Sequence, residues 1–306
     1  MSLSIVIPIY NEEKYISETI AVITALLESL IEFEIIAVNN ASSDNTADLL
    51  ADIKNIKLLT LNEKVTVAKA RNIGWREAKY NLVAFIDGDM IITHEWSNEI
   101  VKMTSYLEAN SLTVTGCKCH PSRTPSWIEN VWFTNENYRN NKEKYINSGN
   151  LITTRSVMDI TEGFDERLIT GEDVDFCGRA RALNATLEIN KNFKIHHEGY
   201  PKTLKGFVKR ERWHGVGDVS SLGHFIKSKV AILSMVVLTL LIATITSMIF
   251  SSKLSTLLLL SLIFIIIVSA HYKFNVQNKV MWLQIYFLQF LYFFGRSLSI
   301  TIRRNI

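Results

Sequence analysis

Short apolar runs and segments of helical spacing alternate over the first 225 residues of the chain. Four apolar runs bounded by turn-forming residues predict buried strands at 3–9, 33–38, 56–61 and 82–86. Between them, apolar residues at helical spacing predict helices at 12–30, 43–53 and 65–79. Strands and helices in this alternation predict an α/β fold, a mostly parallel sheet with flanking helices on both faces.

Polar residues stand where three of these predicted strands end. Asn11 follows the first strand, Asn39-Asn40 closes the second, and Asp87-Gly88-Asp89 follows the fourth. Parallel sheets bind their ligands at the carboxyl ends of the strands, so the three sets predict one cleft. No strand is followed by Gly-x-Gly-x-x-Gly, which argues against a dinucleotide site.

The acidic pair Asp87 and Asp89 has two interpretations. Two carboxylates held together at a strand tip repel each other, and a cation between them relieves the repulsion. Hard oxygen ligands in a sparse site suit Mg²⁺ or Mn²⁺ bridged to phosphates. The alternative is an acidic turn that joins two elements and binds nothing.

The composition changes near residue 225, which predicts two regions, 1–225 and 226–306. Residues 230–250 and 254–270 carry no charge, and 21 helical residues span roughly 30 Å, the thickness of a bilayer core. They predict a transmembrane hairpin, with a buried core hairpin as the alternative. Basic residues before 230 and in the loop near 273–279 predict a cytoplasmic catalytic region, in keeping with the absence of a leader sequence.

A third apolar stretch, 280–302, has two possible dispositions. Its glutamines, its aromatic residues and Arg296 are typical of a helix that lies in the membrane interface. If it crosses the bilayer instead, Arg303 and Arg304 come to lie on the outer side, against the positive-inside rule.

Charge and cysteine content exclude some classes of protein. Lys and Arg number 33 against 30 Asp and Glu, and a net charge of +3 gives no basis for nucleic-acid binding. The three cysteines lack the spacing of a disulfide framework, so we expect them to be reduced.

Seven short motifs occur in an order and spacing that resemble family 2 glycosyltransferases. They lie at 4–12, 38–46, 70–74, 85–89, 148–150, 163–166 and 171–175. The resemblance covers nearly all of residues 1–220. It implies a GT-A fold and the transfer, with inversion at the anomeric carbon, of a sugar from a nucleotide-diphosphate sugar.

The resemblance implies donor-binding roles for one set of residues. These are Pro8, Tyr10, Asn11, Glu12, Asn39, Asn40, Arg71, Asp87, Arg212 and Trp213. Many relatives carry an aspartate where this chain has Asn39-Asn40, and because an asparagine amide both accepts and donates, the nucleobase stays open. The alternative interpretation of Arg71 is a solvated residue on the surface of a helix.

The segment after residue 208 departs from the processive members of the family. Lysine replaces the glutamine of their Gln-x-x-Arg-Trp element, which weakens the case for a polysaccharide synthase. Arg212 and Trp213 are expected to contact the diphosphate and the acceptor, or else to anchor a helix at the level of the lipid headgroups.

Metal binding and catalysis are implied for four further residues. Asp89 and His197, with His196 as the fallback for the histidine, match the metal site. Asp173 matches the general base and Glu172 a residue that holds the acceptor. A structural histidine pair and acids that complement a helix dipole are the alternatives.

Three functions follow from these interpretations. The first is a membrane-anchored transferase that uses Mg²⁺ or Mn²⁺ and glycosylates a saccharide or lipid-linked saccharide, as in the assembly of cell-envelope polysaccharide. The Glu172-Asp173 pair favours it, because a sugar hydroxyl needs a base and a polyprenyl phosphate does not. Transfer to polyprenyl phosphate and a non-catalytic nucleotide-sugar-binding subunit are the alternatives.

Overall fold

A computed structural model describes residues 2–134, 145–276 and 278–301 of the chain. Its main sheet has seven strands in the order β3-β2-β1-β4-β7-β6-β8. The strands are β1 Ser2–Ile9, β2 Glu32–Asn39, β3 Lys57–Thr60, β4 Leu82–Ile86, β6 Thr113–Gly116, β7 Asn150–Thr154 and β8 Thr186–Ile189. Only β7 runs opposite to the others in this sheet, so the predicted mostly parallel sheet is confirmed.

The order of the strands reverses between β1 and β4. The chain runs outward from β1 to β2 and β3 and then returns to place β4 on the other side of β1. A crevice opens at such a reversal, beyond the carboxyl ends of the strands. Asn11, Asn39-Asn40 and the Asp87-Gly88-Asp89 segment all stand at this edge, as the sequence predicts.

Alternate residues of the central strands face opposite sides of the sheet. Leu3, Ile5 and Ile7 belong to one apolar core, whereas Val6 belongs to the other. Helices α1 Ile16–Leu27, α2 Thr46–Ala51 and α4 His94–Ala109 contribute to the first core, and α3 Val67–Arg76, α6 Arg155–Thr161 and α7 Glu172–Ala182 to the second. The prediction of helices on both faces is therefore confirmed.

The first helix begins later than its apolar pattern predicts. Asn11 has a left-handed backbone with φ of 57°, and the carbonyl of Glu12 accepts bonds from the amides of Tyr15 and Ile16. A tight turn therefore occupies residues 12–15, and α1 starts at Ile16. The turn keeps Glu12 at the cleft edge and out of the helix.

A second, two-stranded sheet extends the same edge. It pairs β5 Met90–Ile92 with β9 Ile195–His197 in antiparallel register, so that Met90 stands opposite His197. More than 100 residues separate these strands in the sequence, and the pairing brings the segment after β4 next to the segment before Gly199.

The chain divides into two compact units. Among the described residues, 2–123 and 145–199 form the first, which contains both sheets. Among the described residues, the second contains 124–134, 200–276 and 278–301. Helix α8 Leu204–Asp218 packs against α12 Lys279–Ser297 and therefore belongs to this second unit, and the domain boundary near 225 stays a prediction.

The second unit is helical. It consists of α5 Trp127–Trp132, α8, α9 Leu222–Lys227, α10 Lys229–Ser247, α11 Ser252–Lys273, α12 and a 3₁₀ turn Leu298–Thr301. Its aromatic core centres on Trp132, whose ring lies 5.0 Å from those of Phe207 and Phe274. Arg303 and Arg304, on which the orientation of 280–302 partly depends, lie outside the described residues.

Two of these helices are long and apolar enough to cross a membrane. They are α10 and α11, which match the predicted segments 230–250 and 254–270. Only 28% and 22% of their apolar windows are buried within the protein. A core helix of a soluble protein is mostly buried, so these fractions argue against the core-hairpin alternative.

Candidate active site

Asp89 and His197 lie side by side at the cleft edge. The register of β5 against β9 brings them together, and His197 Nε2 lies 2.8 Å from Asp89 Oδ2. His196 faces the other side of its strand, where its Nδ1 donates to the Pro121 carbonyl at 2.8 Å. The pairing therefore brings His197, and not the fallback His196, to the acidic tip.

The backbone of Gly199 presses against the Asp89 carboxylate. A Cβ at position 199 would lie 1.9 Å from Asp89 Oδ2, so only glycine leaves room for the side chain in this orientation. The Glu198 amide also donates to the Asp89 carbonyl at 2.9 Å. These contacts hold Asp89 from two sides, and its side chain is 12% exposed.

The described residues contain no group of three or more histidine, cysteine or acidic side chains arranged to hold a metal ion. Asp89 and His197 therefore form a pair of potential ligands and not a closed cage. A carboxylate oxygen with an imidazole nitrogen fits a cation such as Mn²⁺, which accepts both, when a substrate and water complete its coordination.

Arg71 is buried beneath the cleft. It is 2% exposed, which excludes the alternative of a solvated helix residue. One terminal nitrogen lies 2.6 Å from Asp87 Oδ1 and the other 2.8 Å from Glu172 Oε1. Burial opposes the charge of the guanidinium, but Asp87 and Glu172 hold its pKa above the ordinary value. Arg71 thus connects the segment after β4 to the start of α7.

Glu172 and Asp173 open α7 and are both nearly buried. Gly171 precedes them with φ of 80°, and this left-handed residue turns the chain into the helix. Glu172 Oε1 also accepts from the Ser148 hydroxyl at 3.0 Å, and Asp173 Oδ1 accepts from the Val174 amide at 2.8 Å. Glu172 is thus fixed by bonds from two other segments, and Asp173 by the next amide of its own helix.

Burial changes the acidity of Asp173. Its removal from water, together with the negative charge of Glu172, raises the pKa of Asp173 to about 7. The positive charge of Arg71 and backbone bonds from Val174 and Ser148 act in the opposite direction and are outweighed. A carboxyl group with a pKa near 7 is suited to accept a proton from a substrate at neutral pH.

Glu12 is a second acid with altered acidity. Burial raises its pKa to about 8, and the charges of Asp89, Asp87 and Asp44 add to the effect. The negative charge of the acids at this edge attracts a cation.

The loops that follow β1 and β2 are bonded to each other. The amide of Asn11 donates to Ser42 Oγ at 3.0 Å, and the amide of Ser43 donates back to Asn11 Oδ1 at 2.8 Å. The amide of Glu12 donates to Thr46 Oγ1 at 2.9 Å. The two loops therefore form one wall of the cleft.

Asn39 and Asn40 use their side chains within the protein. The Asn40 carbonyl oxygen accepts from the Val65 amide at 2.8 Å, and its NH₂ donates to the Val65 carbonyl at 2.9 Å. Asn39 is 1% exposed, and its side-chain oxygen accepts from the Ser42 amide at 3.2 Å. Both amides thus hold loops in place, and the donor-binding role of Asn39 and Asn40 stays a prediction.

Pro8 and Tyr10 are at the end of β1. Pro8 is buried and stands opposite Val38 of β2. Tyr10 is 38% exposed, and the ammonium group of Lys64 lies 3.7 Å from the centre of its ring. Tyr10 therefore offers an aromatic face at the cleft edge with a cation beside it.

Arg212 and Trp213 belong to α8 in the second compact unit. The Arg212 guanidinium donates to Thr301 Oγ1 at 2.9 Å and to the Leu298 carbonyl at 3.3 Å. Trp213 is 46% exposed. Arg212 thus stabilises the 3₁₀ turn that ends the described chain.

Sequence reasoning assigned no role to Asn147 and Ser148. The Asn147 amide lies 3.5 Å from Asp173 Oδ2, and Ser148 bonds to Glu172. The family resemblance of the motif at 148–150 indicated that this segment matters. Nothing in the sequence indicated that it contacts residues 172–173.

Solved structures of low sequence identity share this fold. A mannosyltransferase from Pyrobaculum calidifontis, solved with GDP-Man and Mn²⁺, aligns with a TM-score of 0.62 at 14% identity over 97% of this chain and 86% of its own. Residues 1–349 of Staphylococcus aureus TarS, solved with UDP-GlcNAc, align with a TM-score of 0.50 at 20% identity over 72% and 68%. The predicted GT-A fold is confirmed.

Curated relatives are glycosyltransferases by name. Glycosyltransferase AglE of Haloferax volcanii is 24% identical over 187 residues, which are 58% of this chain and 60% of the relative. The poly(ribitol-phosphate) β-N-acetylglucosaminyltransferase TarS of Staphylococcus aureus is 30% identical over 99 residues, 31% of this chain and 17% of the relative. The chain thus spans at most 60% of either relative.

The N-terminal half of the chain carries the family signature. Residues 4–160 match glycosyl transferase family 2, and this segment contains β1, β2, β4 and the Asp87-Gly88-Asp89 tip. The match extends over just over half of the chain. The protein belongs to glycosyl transferase family 2, and the predicted enzyme class of glycosyltransferase is confirmed.

Proposed function

We propose that this protein is a membrane-anchored glycosyltransferase that moves a sugar, with inversion, from a nucleotide-diphosphate sugar to a hydroxyl of a saccharide or lipid-linked saccharide. The observation that carries the proposal is the pair of acidic sites joined through Arg71. One site, at Asp87 and Asp89, suits a donor, and the other, at Glu172 and Asp173, suits an acceptor.

Asp173 is the proposed general base. It takes the proton from the acceptor hydroxyl as the hydroxyl oxygen bonds to the anomeric carbon of the donor sugar. The bond between that carbon and the diphosphate oxygen breaks, and the nucleoside diphosphate leaves with the electron pair. The pKa of about 7 supports this role, since such a base is largely ionised just above neutral pH yet still basic enough to take the proton.

Asp89 and His197 are the proposed protein ligands of a divalent cation, Mn²⁺ in preference to Mg²⁺ because one ligand is an imidazole. When bound, such a cation neutralises the charge of the donor's diphosphate. Asp87 faces the ribose or the donor sugar, and Tyr10 offers a stacking surface for the nucleobase. Glu12, Pro8 and the joined loops at Asn11 and Asn39-Asn40 form the wall around the nucleoside.

The acceptor is proposed to be a hydroxyl and not a phosphate. A polyprenyl phosphate is already ionised near neutral pH and has no need of Asp173. The chain has fixed Asp173 by hydrogen bonds and buried it, and burying a carboxylate costs free energy. A reaction that uses Asp173 as its base explains why this carboxylate is buried despite the cost.

Membrane anchoring is proposed for α10 and α11. Their apolar side chains are largely exposed, and a hydrocarbon phase is the environment that such surfaces require. With Lys273 and Lys279 on the cytoplasmic side, the hairpin keeps both of its ends, and the catalytic unit, in the cytoplasm.

For α12 we propose an interfacial disposition. Its Arg296 bonds to Glu211 and Asp218 of α8 at 3.1 and 2.9 Å. Charged groups are costly in hydrocarbon, so α8 and the part of α12 that packs on it are expected at the level of the headgroups. Of the two roles predicted for Arg212 and Trp213, this position of α8 favours the second, in which they anchor the helix at the level of the lipid headgroups.

A panel of nucleotide sugars tests the donor proposal. UDP-GlcNAc and GDP-mannose come first, because structural neighbours were solved with them. We expect one member of the panel to raise the melting temperature with Mn²⁺ but not with EDTA, since a ligand of the folded state stabilises it. The matched variant Asp89→Asn should lose this response. Stabilisation that is equal in EDTA would contradict the metal site, and no response to any donor would contradict the proposed function.

Spin labels test the proposed position of α12. Nitroxides at Val280→Cys and Phe287→Cys, which are 72% and 47% exposed, report depth in reconstituted vesicles. A flat helix gives the two labels equal depth. A crossing helix separates them by about 10 Å, because seven residues each rise about 1.5 Å. The three native cysteines are buried, which limits background labelling.

A further inference from the structure

Arg71 occupies a position that does not suit a donor ligand. Its side chain is 2% exposed, and its two terminal nitrogens already bond to Asp87 and Glu172. Its Nε is buried without a hydrogen-bond partner. A guanidinium that binds a diphosphate presents its nitrogens to solvent or substrate, and this one presents them to protein carboxylates.

Stability does not explain the arrangement. Buried ion pairs recover little more than the cost of removing both charges from water, and a buried N–H without a partner adds a further cost. The three residues come from separate elements: α3, the segment after β4 and the start of α7. What the arrangement provides is a fixed spacing between the two carboxylates, each held by a different nitrogen of one rigid planar group.

We propose that Arg71 is a positioning residue that joins the donor-side carboxylate Asp87 to the acceptor-side carboxylate Glu172 and thereby holds Asp173 in line with the donor. The inference rests on the proposed function, because it assigns the two carboxylates to donor and acceptor. Ser148 supports the same geometry from the other side, since its hydroxyl donates to the oxygen of Glu172 that Arg71 contacts.

The conservative variant Arg71→Lys tests this role. Lysine keeps the positive charge but has a single nitrogen, which cannot hold both carboxylates at their present separation. With the donor identified by the panel, we expect kcat to fall about 100-fold, the effect of a misplacement of about 1 Å. KM for the donor should stay within about threefold, since the proposed role involves no donor contact.

Arg179→Lys is the matched control. Arg179 is also paired with a carboxylate, Asp175 at 2.7 Å, and it lies on α7 like Glu172, but it contacts none of the site residues. Its variant should keep both kcat and KM within about threefold of wild type. A rise in the donor KM of Arg71→Lys with kcat unchanged would overturn the proposal, because it would make Arg71 a donor ligand.

A double-mutant cycle with Glu172→Gln completes the test. If Arg71 acts through Glu172, the double variant should be no slower than the slower single variant. Losses that multiply would show that the two residues act independently and would also overturn the proposal. Should Arg71→Lys fail to fold, Ser148→Ala replaces it in the cycle, with an expected loss of about tenfold in kcat, in line with one lost hydrogen bond. Absence of transfer by the wild-type protein contradicts the proposed function instead.

Discussion

Replacement of the proposed base should make the protein more stable while it removes activity. Asp173→Asn keeps the shape of the side chain and its capacity to accept from the Val174 amide, but it removes the ionisable group. Transfer should fall by about three orders of magnitude, since general base catalysis contributes on the order of 10²–10⁴ in rate.

The gain in stability follows from the raised pKa. Asp173 has a pKa of about 7 when folded against an ordinary value of 3.8. Well below pH 3.8 the carboxyl is protonated in both states and has no effect on stability. As the pH rises towards 7 the unfolded chain loses this proton before the folded chain does, so the folded state is progressively destabilised. At about 1.4 kcal/mol per pKa unit, the penalty is about 4 kcal/mol at pH 8.

Part of this gain is lost in the variant. The new NH₂ group faces the Asn147 amide, which lies 3.5 Å from the carboxylate oxygen, and one of the two must turn away. A disturbed hydrogen bond costs about 1 kcal/mol. We therefore expect Asp173→Asn to exceed wild type by about 3 kcal/mol in stability at pH 8 and to fall slightly below it at pH 4, where the cost of the disturbed hydrogen bond outweighs the small remaining gain.

Thermal unfolding of the full chain in detergent, with EDTA, measures the difference from pH 4 to pH 8. The matched control is Asp175→Asn on the same helix, where the carboxylate is paired with Arg179 and 34% exposed. This variant should lose a little stability at pH 8, as expected for a partly exposed pair. The reasoning is refuted if Asp173→Asn is less stable than wild type at pH 8, or if its advantage does not depend on pH.

Three further predictions address other parts of the molecule. Asp89→Asn should weaken Mn²⁺ binding at least tenfold by calorimetry, because it removes one of two proposed ligands, and unchanged affinity would contradict the site. Gly199→Ala should also weaken Mn²⁺ binding, since its Cβ displaces the Asp89 carboxylate. Its control is Gly74→Ala, whose Cβ meets the side chain of Val6 in the core at 2.3 Å. This control should lower the free energy of unfolding by about 1–3 kcal/mol and leave the affinity for Mn²⁺ unchanged. Arg296→Met should destabilise the helical unit by about 3–5 kcal/mol in unfolding experiments, because it takes a partner from the buried Glu211; a loss below 1 kcal/mol would mean that Glu211 is satisfied by Arg210 alone.

Local periodicity accounts for what the sequence predicted correctly. Strands β1 to β4 and the helices between them are encoded by apolar residues a few positions apart, so their order and type follow from short segments. Alternation along β1 even assigns Val6 and Ile7 to opposite cores. The acidic tip was identifiable because parallel strands end at a common edge whatever their distance in sequence.

Contacts between distant segments account for what the sequence left open. The choice between His196 and His197 depends on the register of β5 and β9, and a shift of one residue would have reversed it. Asn40 bonds to Val65 across 25 residues, and no pattern in either segment indicates this.

The amino-acid sequence by itself determined that this chain forms an α/β fold with acidic groups at one edge of its sheet. It also determined that the chain carries two helices apolar enough to cross a membrane. Tertiary structure decided that Arg71 is buried between Asp87 and Glu172, and that Asp173 holds its proton until near neutral pH. The physical reason is that periodicity is a property of neighbouring residues, whereas desolvation and charge pairing depend on which distant residues exclude water from a site.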